Sequence, residues 1–190
     1  MVIAKSRDFA DQWPVYHKGV ASDAETDFLR LNTTAAASDA ATVWNDTAPS
    51  STVVTLGSTD DHNKNNIDQV MYCFHSVEGY SSVGKYIGNG NADGVFVYTG
   101  FRPAWVMVKR SSSTGGWHIF DNKRPNAYNV INKRLEADNT DAENSTSGCE
   151  IDLLSNGFKF RGTFDNINGS GATHIYLAFA EAPFKYANAR

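Results

Sequence analysis

The stretch that decides the fold is residues 106–120, VMVKRSSSTGGWHIF, because the chain contains a second version of it. Residues 2–16, VIAKSRDFADQWPVY, lie 104 positions earlier and keep the same order: an apolar run, a lysine, a polar stretch, a tryptophan and a second apolar run. Two short apolar runs separated by polar residues are typical of consecutive β-strands. The sequence therefore predicts a β-rich protein with two related parts.

The similarity continues beyond these stretches with a shift of 105 positions. A glycine, an acid, an amide and a phenylalanine recur: Gly57, Asp60, Asn63 and Phe74 match Gly162, Asp165, Asn168 and Phe179. A unit of this length is too long for a solenoid repeat and is about the size of a small domain. We therefore divide the chain into a first block, residues 1–83, and a second block, residues 84–190.

Composition and turn spacing predict the fold class. Aromatic residues make up 12% of the chain, and the apolar runs are short and separated by Gly, Asn, Asp and Ser. Turn signals at intervals of roughly 8–15 residues are typical of a β-sandwich. We predict an all-β, antiparallel β-sandwich whose strands include residues 52–56, 129–133 and 157–161, with a type I′ hairpin turn at Asn156-Gly157. One short helical turn is expected within residues 33–42.

The two blocks differ at their beginnings. Residues 84–104, GKYIGNGNADGVFVYTGFRPA, precede the second version of the deciding stretch, whereas the first version starts at Val2. If both blocks build the same unit, the opening strands of the first must come from another part of the chain, a neighbouring subunit or sequence outside this chain. We expect a piece of a longer polypeptide or a domain completed by strand exchange, since open strand edges promote association.

Charge and composition exclude several classes of partner. The net charge of −4 and the pI of about 5.7 provide no basic footprint for nucleic acid. No segment approaches the ~18 apolar residues of a membrane helix, so we expect no membrane insertion. Cys73 and Cys149 occupy non-equivalent places in the two blocks and are predicted to be free thiols.

No motif predicts catalysis, a metal or a cofactor. Residues 89–94 begin like a calcium loop, but Gly100 stands where that loop needs a bidentate glutamate, which favours a Gly/Asn-rich turn. Glu136, Asp138 and Asp141 come close to the carboxylate pattern of β-sandwich glycosidases. Their surroundings are polar and loop-like, which predicts solvated carboxylates rather than catalytic ones.

Two short polar segments contain the binding candidates. These are Trp44, Asn45, Asp46, Asp60, Asp61 and His62. Trp44 lies among polar residues and is therefore predicted to be an exposed contact. Residues 60–62 could touch a metal, but a structural turn explains them equally well, because the acid and the amide of this segment recur in the second block.

The recurring tryptophans, Trp13 and Trp117, have two interpretations. Aromatic faces can stack on sugar rings, as in glycan-binding sandwiches, or a buried tryptophan can hold a strand against a sheet. Recurrence at equivalent positions is what duplicated packing requires, so we favour the buried interpretation.

Several phrases of the sequence resemble a known group of proteins. They are residues 72–80, 88–90, 96–106, 154–159 and 178–190. Together they resemble an uncharacterised repeat-bearing domain of marine tailed-bacteriophage virion proteins, often found at the C-terminal end of large structural or tail-fibre proteins. The resemblance implies a concanavalin-like or SPRY-like sandwich. It implies no activity, so there is no catalytic residue to transfer. In such proteins Pro-x-Met-Val-x-x-Lys is usual, and this chain begins at that methionine, which predicts a truncated N-terminus.

The function expected on this basis is that of a non-enzymatic virion surface protein, a tail-fibre or adhesion module that contacts the host surface or a glycan. The alternatives are a capsid-decorating or tail-associated assembly protein and, less favoured, a glycan-cleaving enzyme. The expected partners are other virion proteins and further copies of the chain, as in a fibre trimer, because phage surface proteins typically act as symmetric multimers. The expected location is the virion surface, after synthesis in the bacterial cytoplasm.

Overall fold

The computed structural model describes residues 1–8, 10–124 and 129–184. The first block contains short strands and two single-turn helices, joined by loops. In chain order these are β1 (Val2–Ser6), β2 (Pro14–Tyr16), β3 (Asp27–Arg30), β4 (Ser38–Asp39), α1 (Ala41–Trp44), α2 (Asp60–Asn63) and β5 (Gln69–Cys73).

The rest of the chain also forms mainly short strands, with one further single-turn helix. Its elements are β6 (Ser81–Ile87), β7 (Phe96–Tyr98), β8 (Pro103–Arg110), β9 (Trp117–Asp121), β10 (Leu135–Glu136), β11 (Ile151–Leu154), β12 (Gly157–Phe160), α3 (Asp165–Asn168) and β13 (Thr173–Ala180). No helix of the described chain has the length and apolar character needed to cross a membrane.

The strands form three antiparallel sheets, which confirms the all-β prediction. The first sheet has the order β4-β3-β2-β1-β5, the central sheet β10-β9-β8-β13-β6 and the third sheet β11-β12-β7. The first sheet is built entirely from strands of the first block, and every strand of the other two sheets is β6 or a later strand in the chain.

The central sheet is buried on both faces. Successive side chains of β8 point to opposite faces. Met107 belongs to the apolar core shared with the first sheet, whereas Val106 and Val108 belong to a second core shared with the third sheet. The layers are therefore stacked, with the first and third sheets on opposite sides of the central one. This double burial explains why all of residues 106–109 are buried, Lys109 included. The Lys109 ammonium donates to the Thr34 and Gly115 carbonyls.

Strands that correspond by sequence have corresponding neighbours. The order β2-β1-β5 in the first sheet matches β9-β8-β13 in the central sheet. The registers match as well, because Val2 pairs with Cys73 and Val106 with Ala178. The equivalent rings Phe74 and Phe179 meet edge to face, 6.0 Å apart.

The recurring Gly and Asn have a shared structural role. The Asn63 side-chain amide donates to the Gly57 carbonyl at 2.6 Å, and the Asn168 amide donates to the Gly162 carbonyl at 2.9 Å. A side chain on Gly162 would put its Cβ 2.1 Å from the Gly148 carbonyl oxygen, so only glycine fits there. These residues recur because each pair closes the loop that contains a single-turn helix.

Several local predictions were wrong. Residues 52–56 form no strand, and of residues 129–133 only Ile131 makes a β-bridge, to Ile151. The predicted hairpin joins β11 and β12, but Leu154 pairs with Gly157, so its turn lies one residue earlier, and it is not type I′ because neither turn residue has positive φ. The helical turn expected within residues 33–42 begins only at Ala41, because residues 38–39 pair with β3.

Candidate functional site

The predicted binding residues divide into a buried pair and an exposed group. Trp44 is fully buried, so the prediction that it forms an exposed contact was wrong. His62 is buried beside it, with the two ring centroids 4.9 Å apart. Asn45, Asp46 and Asp60 are exposed. The candidate segment therefore has a structural interior and a polar surface.

The conformation of α1 explains this division. Its last residue, Trp44, packs edge to face on Tyr16 of β2, with 6.0 Å between ring centroids. Asn45 and Asp46 then take left-handed φ values of 54° and 44°, which turn the chain outward. The polar neighbours that suggested exposure are the residues that make this turn. Of the recurring tryptophans, the buried interpretation is confirmed for Trp117, which is buried and whose indole N–H donates to the Arg30 carbonyl. Trp13 is only half-buried against the first core.

The acids of α2 have local partners. Asp60 pairs with Lys64 at 3.5 Å on the surface. Burial, followed by a hydrogen bond with the Asp11 carboxyl, raises the pKa of Asp61 to about 6, so these two carboxyls share a proton only below about that pH. Within the described ranges, no group of three or more His, Cys, Asp or Glu side chains is arranged to hold a metal ion.

Two carboxylates of the glycosidase-like pattern, Glu136 and Asp138, make structural contacts. Glu136 lies 2.7 Å from the Arg134 guanidinium and 3.4 Å from the buried His118 ring. Burial alone would raise the pKa of Glu136, but hydrogen bonding from Arg134 and the nearby positive charges outweigh it and lower that pKa. Asp138 accepts a hydrogen bond from the Trp117 backbone N–H. A general acid needs a raised pKa, so this arrangement does not suit one.

Strand β5 of the first sheet is paired on one side in the described chain, whereas its counterpart in the central sheet, β13, is paired on both sides. In the central sheet, β13 pairs with β8 on one side and with β6 on the other. In the first sheet, β5 pairs with β1, and no other described strand pairs with it. Its side chains are half-buried or exposed, and Tyr72 is 48% exposed.

An apolar cavity opens beside this edge, and we call it the edge groove. Its volume is about 580 Å³, and it lies between the first sheet and the loop 49–54. Its walls include Val2, Tyr16, Val53, Cys73 and the charged Lys18. Val53 is 59% exposed, which is unusual for a valine in an apolar setting.

A second, shallower cavity of about 400 Å³ lies at the loops around the two helices, and we call it the amide pocket. Its walls include Asn45, Ser58, Asn63 and Gly57. It brings Asn45, one of the predicted binding residues, together with the recurring Asn63.

Sequence reasoning missed the edge groove. Its wall residues, most of them apolar, come from four separate parts of the chain, and no local pattern marks them. The free-thiol prediction was confirmed for both cysteines, of which Cys73 is exposed in the groove and Cys149 is buried.

The fold and the site define a class: an all-β protein of stacked antiparallel sheets, in which β5 forms an edge of the first sheet next to an apolar groove. Residues 1–183 match the family described as domain of unknown function DUF7483, and the chain belongs to that family. No curated protein and no solved structure matches the chain.

Proposed function

We propose that this chain is a non-enzymatic structural module of a bacteriophage virion, which joins a neighbouring virion protein through the open edge of its first sheet. The observation that carries the proposal is that β5 has a described partner strand on one side only, while its counterpart β13 has one on both. The virion context is supported by the resemblance of residues 72–80 and 96–106 to structural proteins of marine tailed phages.

The chemistry of β5 favours association. Natural sheets protect their edge strands with charged residues, proline, bulges or a covering loop. β5 reads Gln-Val-Met-Tyr-Cys, without charge and without proline, and an apolar groove opens at its last residue, Cys73. A partner strand would satisfy the edge backbone groups and cover Tyr72 and Val53.

In this proposal the protein is made in the bacterial cytoplasm and ends on the virion surface. Its partners are other virion proteins or further copies of itself, in a trimer if it belongs to a fibre. Cross-linking mass spectrometry on purified particles of the phage that encodes the chain tests this. We expect the chain at a constant ratio to the major capsid protein, with cross-links from Lys18, which lines the groove, to a second polypeptide. A chain found only in infected-cell lysate and never in washed particles would refute the proposal.

Adhesion to a glycan is the second candidate, and the amide pocket favours it. Asn45 and Ser58 line a polar depression beside the exposed acids Asp46 and Asp60. Amide, hydroxyl and carboxylate groups suit hydrogen bonds to a hydroxyl-rich ligand.

A glycan array with two matched variants tests adhesion. Asn45→Gly removes a pocket amide, while Asn66→Gly removes an exposed amide outside the pocket lining; both asparagines have left-handed φ, 54° and 59°, which glycine accepts. Binding that is lost only in Asn45→Gly supports adhesion. An array without any signal, or equal loss in both variants, contradicts it.

A further inference from the structure

We infer that the edge groove and the amide pocket together bind one extended strand–loop–strand segment of a partner polypeptide, of the same form as residues 81–103 of this chain. This inference rests on the proposed assembly function and names the partner chemistry. The second block supplies the template, because its own residues 81–103 occupy the corresponding path. Three contacts along that path, and one charge, have counterparts in the first block.

The first contact is the strand edge. In the second block, β6 runs antiparallel along β13, with Ser82 opposite Ala178 and Tyr86 opposite His174. The counterparts of those β13 residues, by the shift of 105, are Cys73 and Gln69 of β5. An antiparallel strand added to β5 would reproduce this pairing, as in β-strand addition by peptides.

The second contact is the asparagine of the single-turn helix. Asn168 accepts from the Asn89 backbone N–H at 3.1 Å, and its amide donates to the Asn89 side chain at 3.0 Å and to the Asn91 carbonyl at 2.9 Å. The loop between β6 and β7 therefore rests on Asn168, which is 0% exposed. Asn63, its counterpart, keeps the bond to Gly57 but is exposed at the amide pocket.

The third contact is the apolar groove. Four of its wall residues have counterparts that belong to the second core, namely Val2 with Val106, Tyr16 with Phe120, Val53 with Phe158 and Cys73 with Ala178. All four counterparts are 0% exposed in the second core, which also contains Val97 and Phe101. Val97 lies on β7 directly opposite Phe158.

The different exposure of Val53 and Phe158 indicates which side chains an occupant of the groove must supply. Val53 is 59% exposed where Phe158 is 0% exposed. The occupant must therefore place two apolar side chains, equivalent to Val97 and Phe101, against Val53 and its neighbours. Covering this surface stabilises the complex by removing apolar area from water.

Charge selects among such segments. In the second block, Asn122 donates to Glu181 at 2.7 Å, and Arg102 pairs with the same carboxylate at 3.2 Å. In the first block, the counterpart of Asn122 is Lys18 and that of Glu181 is Ser76. The groove walls include Lys18 and no carboxylate. The occupant is therefore expected to have an acidic residue where this chain has Arg102.

Two synthetic peptides test the inference by fluorescence anisotropy with the full chain. One has the sequence of residues 81–103, and the other has the same sequence with Arg102→Glu. We expect saturable one-to-one binding of both, with the acidic peptide up to about fivefold tighter, which is the range of an exposed charge pair. In the Lys18→Glu protein the preference should reverse. A scrambled peptide should not bind.

Matched variants locate the binding. Val53→Lys should weaken binding at least about tenfold, because a charge enters the apolar groove. Val130→Lys changes another exposed valine, outside the groove lining, and should have no effect. Thermal unfolding midpoints confirm that both variants are folded. The inference is overturned if the peptides do not bind, or if Val53→Lys leaves their binding unchanged. It is also overturned if the chain forms a dimer that Val53→Lys abolishes and that the peptides do not compete with.

The peptide result and the particle result are independent. If the chain is absent from purified particles but the peptides bind as expected, the proposed function fails and the groove assignment stands. If the chain is cross-linked in particles but no peptide binds, the assembly function stands and the strand–loop–strand occupant is wrong.

Discussion

The burial of Asn168 predicts a large difference between two equivalent substitutions. The Asn168 side chain accepts a hydrogen bond from the Asn89 backbone N–H, and its two amide hydrogens are shared among three acceptors: the Asn89 side chain, the Asn91 carbonyl and the Gly162 carbonyl. Each such bond contributes about 1 kcal/mol net to folding, and a buried partner left unpaired costs more. We therefore expect Asn168→Ala to lower the free energy of unfolding by about 4 kcal/mol.

The matched variant Asn63→Ala should cost much less. The structure describes one side-chain hydrogen bond for Asn63, to the Gly57 carbonyl, and the residue is exposed. Water can replace the lost partner, so the expected loss is about 1 kcal/mol or less. Guanidinium chloride denaturation, followed by tryptophan fluorescence, measures both losses, and equal slopes against denaturant would show that the same surface unfolds in each variant. Losses within about 1 kcal/mol of each other would refute the inference that the loop of the second block rests on Asn168 while that of the first is open.

Two further predictions concern stability. Burial lowers the pKa of His17 to about 4. As the pH falls through about 6.5, this imidazole binds a proton in the unfolded chain but stays neutral in the folded chain. The free energy of unfolding is therefore full above that pH and falls by up to about 3 kcal/mol as the pH drops toward 4. Denaturation between pH 7.5 and 4.5 should show this fall, and a His17 imidazole that titrates near pH 6.5 by NMR would contradict it. Gly162→Ala should destabilise by several kcal/mol, since its Cβ would lie 2.1 Å from the Gly148 carbonyl oxygen, whereas Gly171→Ala should cost only about 1 kcal/mol, because that position has open space and a left-handed φ of 69°. Equal melting points for the two alanine variants would count against this steric account.

Local sequence patterns predicted most of the strands. In residues 157–161 the alternation of apolar and charged side chains is a short-range signal, and β12 forms there with Phe158 and Phe160 buried. The run at residues 106–109 also predicted a strand, but its uniform burial depends on having a sheet on each face, which no local pattern encodes. Residues 52–56 show the opposite case, because an apolar run with no partner strand beside it does not form a strand.

The candidate site was less predictable. Trp44 looked exposed because its sequence neighbours are polar, yet the turn at Asn45 and Asp46 directs the indole onto Tyr16. Burial of a side chain is decided by what packs against it, not by its neighbours in the chain. The edge groove follows the same rule, since Val2, Val53 and Cys73 meet only when three distant segments have folded together.

By itself, the sequence determined the β-class of the protein and the correspondence of residues 2–16 with residues 106–120. These are properties of local pattern and spacing, which can be read from the order of residues alone. Only the tertiary structure decided that β5 is an edge strand, paired with β1 alone among the described strands. The same holds for Val53, which is exposed although its counterpart Phe158 is fully buried. The physical reason is that strand pairing and apolar burial are long-range contacts, so an open edge exists only once every other strand has found its partner.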